Sequence, residues 1–352
     1  MSDVIRELTR RIAPPSGAMP DAVQRHLDDL TKPPGSLGRL ENIAVRLATI
    51  VGDPPAKLAR RTVFVLAADH GVTARGVSAY PAEVTAQMCL NLAGGGAAVC
   101  AFARTVGCDV VVADLGVRYD GPLGGGVLHH RVAHGSADLV DGPALTAEER
   151  DAAVAAGAAL VEAVETDVVC LGEMGIGNST SAAALTALLT DGPPEDVVGP
   201  GTGVEGNALE AKRAVVRTAT ERVGPGRPAE EVLAEVGGLE IAGLVGVILA
   251  ATGKGLPVIV DGFISTAAAL VAVGVEATVR DYLFAGHRSA EPGHDRALAH
   301  LGLHPVLDLN FRLGEGTGAV LALPVIDAAG AMLRDMATFS GAGVSGRTDG
   351  TA

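Results

Sequence analysis

Four short runs of β-branched and aliphatic residues recur along the chain, at 63–67 (VFVLA), 110–115 (VVVADL), 168–171 (VVCL) and 258–260 (VIV). Each runs into Gly, Asp or Glu and is followed by a stretch with helical spacing, often Ala-rich. Short apolar strands alternating with helices predict an α/β fold, a parallel sheet covered by helices on both faces. In such sheets ligands collect beyond the carboxyl ends of the strands. Those ends read Asp69-His70-Gly71, Asp114-Leu115-Gly116, Gly172-Glu173-Met174-Gly175 and Asp261-Gly262-Phe263. Polar and glycine-rich exits at nearly every strand place the expected active site there.

The ends of the chain follow a different pattern. Residues 22–30 and 40–51 have amphipathic helical spacing, separated by the turn-rich Lys32-Pro33-Pro34-Gly35-Ser36-Leu37-Gly38. A last helix is expected over 317–338. These segments predict a small helical domain from residues 1–60 plus about 316–345, and a large α/β domain over 61–315. No internal repeat is visible, and the tail 341–352 reads as disordered.

Composition narrows the class. The 352 residues carry 27 Lys and Arg against 41 Asp and Glu, a formal charge of −14. That disfavours nucleic acid as a partner, because phosphate-backbone affinity needs clustered cations. The hydrophobic fraction of 48% supplies a packed core, yet there is no Trp, and Tyr and Phe number 3 and 6. Glycine, at 47 residues, is about twice as frequent as its usual ~7%. Glycine is therefore shaping backbone somewhere. The N-terminus lacks an apolar signal core, and the longest apolar runs, 241–252 and 319–333, read as too short or too interrupted for a membrane helix. The four cysteines have no zinc-like spacing and read as buried thiols. A soluble cytoplasmic protein without a membrane contact is expected.

Several segments have the residue types for chemistry. Gly172-Glu173-Met174-Gly175-Ile176-Gly177-Asn178-Ser179-Thr180-Ser181 follows a strand and opens a helix. Small residues there allow a phosphate to approach unpaired backbone N–H groups, or simply make a tight turn. Gly199-Pro200-Gly201-Thr202-Gly203 is a weaker second cradle, with Lys212 the nearest cation or else an ordinary solvated lysine. Asp69-His70-Gly71 resembles the metal-binding triplet of phosphohydrolases. Only Asp261 and His287 stand at other strand ends to help it, so a structural role is favoured and no metal site is expected. Ser289 is placed like a helix N-cap ahead of Pro292, a role that accounts for it as well as a ligand contact does. In Arg312-Leu313-Gly314-Glu315-Gly316-Thr317-Gly318 a carboxylate between glycines leads into an apolar helix. Glu315 is either a general base with a raised pKa or an acid stabilised by the helix start.

Taken together these residues resemble a known family. Lys32-Pro33-Pro34-Gly35-Ser36-Leu37-Gly38-Arg39-Leu40-Glu41, Ala68-Asp69-His70-Gly71-Val72 and the 172–180 segment look like the nicotinate-nucleotide–dimethylbenzimidazole phosphoribosyltransferases. So do Val260-Asp261-Gly262-Phe263, Ser289-Ala290-Glu291 and Arg312-Leu313-Gly314-Glu315-Gly316, in the same order. The resemblance implies a Rossmann-like large domain, a small helical domain from both chain ends and a homodimer. It implies transfer of phosphoribose from nicotinate mononucleotide to 5,6-dimethylbenzimidazole, in the nucleotide-loop branch of cobalamin (vitamin B12) biosynthesis, with no cofactor. Glu315 falls on the family's general base and Glu173 on a second site carboxylate. Gly175, Gly177, Asn178, Gly201, Lys212 and Ser289 fall on or beside positions that bind nicotinate mononucleotide. Tyr80, Met88, Met174 and Leu313 fall on the walls of the benzimidazole pocket. A metal phosphohydrolase built on Asp69-His70-Gly71 and a non-catalytic nucleotide-binding subunit are the rival readings.

Overall fold

In a computed structural model, described over residues 1–345, the chain falls into two compact units. The larger comprises Met1–Ala13 and Ala59–Ala322, the smaller Pro14–Leu58 and, of the described residues, 323–345.

The larger unit is built on a six-stranded parallel sheet: β1 (Arg61–Ala68), β2 (Asp109–Gly116), β3 (Leu128–His129), β4 (Val168–Met174), β5 (Val258–Val260) and β6 (Leu283–Ala285). The spatial order β3-β2-β1-β4-β5-β6 is that of a Rossmann-like sheet, with the chain reversing direction across the sheet between β1 and β4. The four expected strands are present. β3 has no counterpart among the expectations: it is two exposed residues, too short to carry a pattern. β6 corresponds to the apolar piece before Gly286.

The central strands are buried over almost their whole length, as helices on both faces require. Leu239–Gly253, apolar all round, is the core helix behind the sheet. It crosses Ala147–Glu162 at very short range: a Cβ on Gly157 would lie 1.8 Å from the Gly243 carbonyl oxygen, and one on Gly246 1.9 Å from that of Val154. Part of the glycine excess thus replaces side-chain packing with backbone contact between helices.

The N-terminal segment departs from expectation. Residues 1–13, expected in the small helical domain, belong to the large unit. Helix Asp3–Thr9 buries Ile5 and Leu8 in the main core, and the Tyr282 hydroxyl donates to the Ala13 carbonyl at 2.8 Å. Two stretches, Val84–Val106 and Thr317–Asp335, do reach the length and hydropathy of a membrane span, contrary to the reading of the apolar runs. The first is two helices, Val84–Ala93 and Ala98–Val106, parted by a glycine turn; the second is mostly buried core.

The smaller unit packs helices Pro20–Asp29 and Arg39–Val51 against the later turns of Thr317–Asp335. Val23, Leu27, Leu30, Ala44 and Ala48 meet Ala329, Met332 and Leu333. In the turn between the first two helices, Lys32 and Glu41 form a buried ion pair at 2.9 Å, and Glu41 also accepts from the Leu37 N–H. These partners hold the Glu41 carboxyl below its usual range despite the opposing effect of burial, the largest single influence. Of the tail 341–352 expected to be disordered, Gly341 and Ala342 end a short helix, Phe339–Ala342, capped by Thr338, and 346–352 lie outside the described residues.

Candidate active site

The chain leaves β1 toward β2 and β4 toward β5, so the switch point of the sheet lies between β1 and β4, and the 314–316 turn packs on the end of β4. Glu173 is the next-to-last residue of β4, paired in register with Leu66. Its side chain is buried, and Asn178, the first residue of helix Asn178–Leu189, donates its amide to Oε2. Burial, reinforced by the negative fields of Asp261, Glu240 and Glu315, pushes the Glu173 carboxyl up to about 8 against the opposing amide bond. That shift favours the protonated form at neutral pH.

Glu315 is presented differently. Gly314, Glu315 and Gly316 have φ of 88°, 62° and 91°, three left-handed residues in a row. A non-glycine residue there is strained by about 1–3 kcal/mol and persists only where its surroundings over-determine it. The surroundings are close: a Cβ on Gly172 would sit 2.5 Å from the Glu315 carbonyl oxygen, and one on Gly314 2.1 Å from Glu173 Oε1. The turn packs on the β4 backbone at Gly172 and brings Gly314 against the Glu173 carboxyl. Glu315 is 5% exposed, and its Oε2 faces the start of helix Ala98–Val106, accepting from the Val99 N–H at 3.4 Å. Burial raises its pKa, and the Val99 and Ala98 N–H groups restrain the rise. Glu315 lies by its own helix start, and its carboxylate is aimed at the N-terminus of another helix.

Both glutamates open onto a cleft of about 410 Å³. Tyr80, Met88, Met174 and Leu313 line it, together with Val84, Ile176 and Ile264; Gly175, Asn178, Ser179 and Gly201 also line it. Tyr80 and Leu313 are 55% and 57% exposed, so one edge of the apolar slot is open. Thr202 ties the two sides of the mouth: its hydroxyl hydrogen-bonds to that of Ser78 at 2.9 Å and accepts from the Ala79 N–H. Arg312 donates to the Gly201 carbonyl across the same opening.

Three of the expected site residues do not line this cleft. Gly177 is the N-cap of helix Asn178–Leu189 at φ 95°, buried against Thr73. Ser289 borders a much smaller adjoining cavity. It is also not the helix cap: Pro292 occupies the first helical position, which makes Glu291 the N-cap, and the Ser289 hydroxyl accepts weakly from the Glu291 N–H. Lys212 is not a solvated lysine but is wholly buried on helix Gly206–Val223. Its ammonium donates to Ser179 Oγ at 2.9 Å and to the Gly199 carbonyl at 3.0 Å, from behind the cleft. Burial lowers its pKa to about 8, while the nearby Glu291 pulls it back up.

Glu291 and Arg312 are visible in the sequence only as parts of motifs, and both line the cleft. Glu291 accepts from the Gly201 N–H at 3.0 Å and is held up in pKa by burial. The triplet Asp69-His70-Gly71 is committed elsewhere. Asp69 accepts from the Arg118 N–H, and His70 is sandwiched between Ser181 (3.1 Å) and Glu240 (2.7 Å), leaving neither ring nitrogen open to a metal. Among the described residues no group of three or more His, Cys, Asp or Glu is placed to hold a metal ion.

Known proteins share this architecture. A family model described as phosphoribosyltransferase matches residues 12–344. The chain is 49% identical over 348 residues to the nicotinate-nucleotide–dimethylbenzimidazole phosphoribosyltransferase of Desulforudis audaxviator, covering 97% of this chain and 98% of the relative. The Thermus thermophilus protein of the same name is 51% identical over 322 residues, covering 91% and 96%. A crystal structure of the Thermus thermophilus enzyme superposes with a TM-score of 0.88 at 49% identity, over 93% of this chain and 98% of the other. This chain is thus an enzyme, a phosphoribosyltransferase, and belongs to the nicotinate-nucleotide–dimethylbenzimidazole phosphoribosyltransferase family.

Proposed function

We propose that the enzyme transfers phosphoribose from nicotinate mononucleotide to 5,6-dimethylbenzimidazole, giving α-ribazole 5′-phosphate and nicotinate in the nucleotide-loop branch of cobalamin biosynthesis. The observation that carries this reading is the pair of glutamates in unlike environments facing one apolar slot. A flat heteroaromatic base suits the Met88, Met174 and Leu313 walls. The 5′-phosphate suits the other end, where Ser179 and the Gly201 backbone face the cleft with the Lys212 ammonium behind them.

In this reading one benzimidazole nitrogen attacks C1′ of the ribose. The C1′–nicotinate bond breaks with its electron pair, and nicotinate leaves as a neutral pyridine ring, so the leaving group calls for no metal. As the new C1′–N bond forms, the other ring nitrogen becomes cationic and acidic, and its proton passes to Glu315. A carboxylate whose pKa is raised by burial is suited to accepting that proton. Glu173, protonated, offers an O–H to the same slot without competing for the proton. We read the enzyme as a cytoplasmic homodimer, a reading supported by the family resemblance; light scattering of the purified chain checks the dimer.

The test is incubation of the purified enzyme with both substrates, followed by chromatography. Stoichiometric nicotinate and α-ribazole 5′-phosphate are expected. Nicotinate release that does not depend on any added base contradicts the proposal.

A further inference from the structure

Asp261 follows β5 directly and is buried to 1% exposure, yet it touches none of the apolar slot. Its carboxylate is spent on backbone. Oδ2 accepts from the Gly316 N–H at 3.1 Å, and Oδ1 accepts from the Gly318 N–H at 2.6 Å and the Ala319 N–H at 3.1 Å. These donors straddle the start of helix Thr317–Asp335, which therefore takes its cap from another strand. They also lie immediately after Glu315, whose φ of 62° has to be enforced from outside.

The packing leaves Asp261 one pose. A Cβ on Gly318 would fall 2.9 Å from its Oδ1 and 1.9 Å from the His287 ring, and one on Gly262 would fall 3.0 Å from His287 Nε2. His287, stacked on Phe311 at 4.1 Å, walls the carboxylate in but stays 3.7 Å away, beyond hydrogen-bond reach. Burial lowers the His287 pKa to about 4, so it brings no positive charge. Helix capping alone does not require a carboxyl sealed this deeply, where burial pushes its pKa up to about 7 against the three N–H donors; a hydroxyl or amide does that work on most helices. What the carboxylate adds is acceptors on both oxygens at once, so the residue after Glu315 and the first helical turn are held by one rigid group.

We propose that Asp261 is a positioning residue for the transfer: it clamps the 314–316 turn so that the Glu315 carboxylate meets the reacting ring N–H. This rests on the reading of Glu315 as general base. Asp261 lies outside the main cleft, bordering only the small cavity beside it, and acts through that turn.

The test is a double-mutant cycle on the full-length enzyme, with kcat and KM measured for both substrates. In Asp261→Asn the amide oxygen serves one side of the clamp, but the NH2 faces an N–H on the other. The expected result is a kcat lower by about 100-fold, the cost of a displacement near 1 Å, with KM for nicotinate mononucleotide nearly unchanged. Adding Asp261→Asn to Glu315→Ala should cost almost nothing further, because the group being positioned is already gone. Calorimetric binding of nicotinate mononucleotide verifies that the variants are folded. Asp261→Ser, smaller and with a single acceptor, carries the same prediction if the Asn variant does not fold.

Near-normal kcat in folded Asp261→Asn, with Glu315→Ala impaired, overturns the positioning role and leaves the base reading intact. So do losses that multiply in the double variant, since they show Asp261 acting independently of Glu315. Full turnover in Glu315→Ala overturns the base reading, and the positioning role with it.

Discussion

Glu173 and Glu315 are adjacent carboxyls in one cleft, yet the backbone delivers them in opposite ways. Glu173 rides on a regular strand and points into a buried region shared with other carboxylates, with a single amide donor; its pKa rises to about 8. Glu315 sits on a left-handed turn and faces the N–H groups of a helix start, which partly offset its burial. The difference teaches how one site gives two carboxyls of the same residue type unlike surroundings. Local dielectric and donor count, not side-chain chemistry, separate them.

The largest way to break the contrast is to delete the acceptor. Glu315→Ala should lower kcat by about 10²–10⁴, the range of general-base catalysis, with KM for nicotinate mononucleotide little affected in steady-state assays. Next comes the phosphate end. Lys212→Met removes a buried cation that reaches Ser179 and the Gly199 carbonyl, and should raise KM for nicotinate mononucleotide by roughly 10-fold or more, about the value of one charge-assisted hydrogen bond.

The turn itself can be attacked without replacing either glutamate. Gly314→Ala places a methyl 2.1 Å from Glu173 Oε1 at a φ of 88°. It should destabilise the fold by about 1–3 kcal/mol in denaturant titration, the cost of an enforced left-handed residue, and reduce kcat as well.

The smallest effect is one of linkage. A carboxyl whose folded pKa is raised gives stability that is fully present below its unfolded pKa and lost as pH rises through the folded value. For Glu173 the loss runs between about 4.5 and about 8. Glu173→Gln removes this penalty, so its melting temperature relative to the parent should climb by roughly 2–4 °C for each kcal/mol relieved on going from pH 5 to pH 8. A gap that narrows over that range would show Glu173 to be ionised in the fold at low pH.

Much of this is legible in the sequence, for identifiable reasons. β1, β2, β4 and β5 carry apolar runs because both faces of the sheet are covered, and β4 announces the site because Glu173 interrupts its apolar end. Glu315 stands out because its neighbours are glycines, and the structure shows why: both flanking residues are left-handed, and the turn lies on the β4 backbone. Lys212 reads as solvated because its helix is polar overall; its burial comes from loops that pack over it, information absent from local periodicity. Ser289 reads as a cap although Pro292 points to Glu291, since proline favours the first helical position. Asp261 carries no local signal of its function. Its partners lie more than fifty residues away, and only the fold brings Gly316, Gly318 and Ala319 to it.

The most direct test of this division of labour sets two isosteric variants side by side at saturating nicotinate mononucleotide and 5,6-dimethylbenzimidazole. Glu315→Gln keeps size and loses basicity; Glu173→Gln mimics the protonated form that Glu173 already adopts. If Glu315 is the acceptor and Glu173 the proton holder, kcat falls by at least about 100-fold in Glu315→Gln and by less than about 10-fold in Glu173→Gln. Equal losses, or the reverse order, would contradict it.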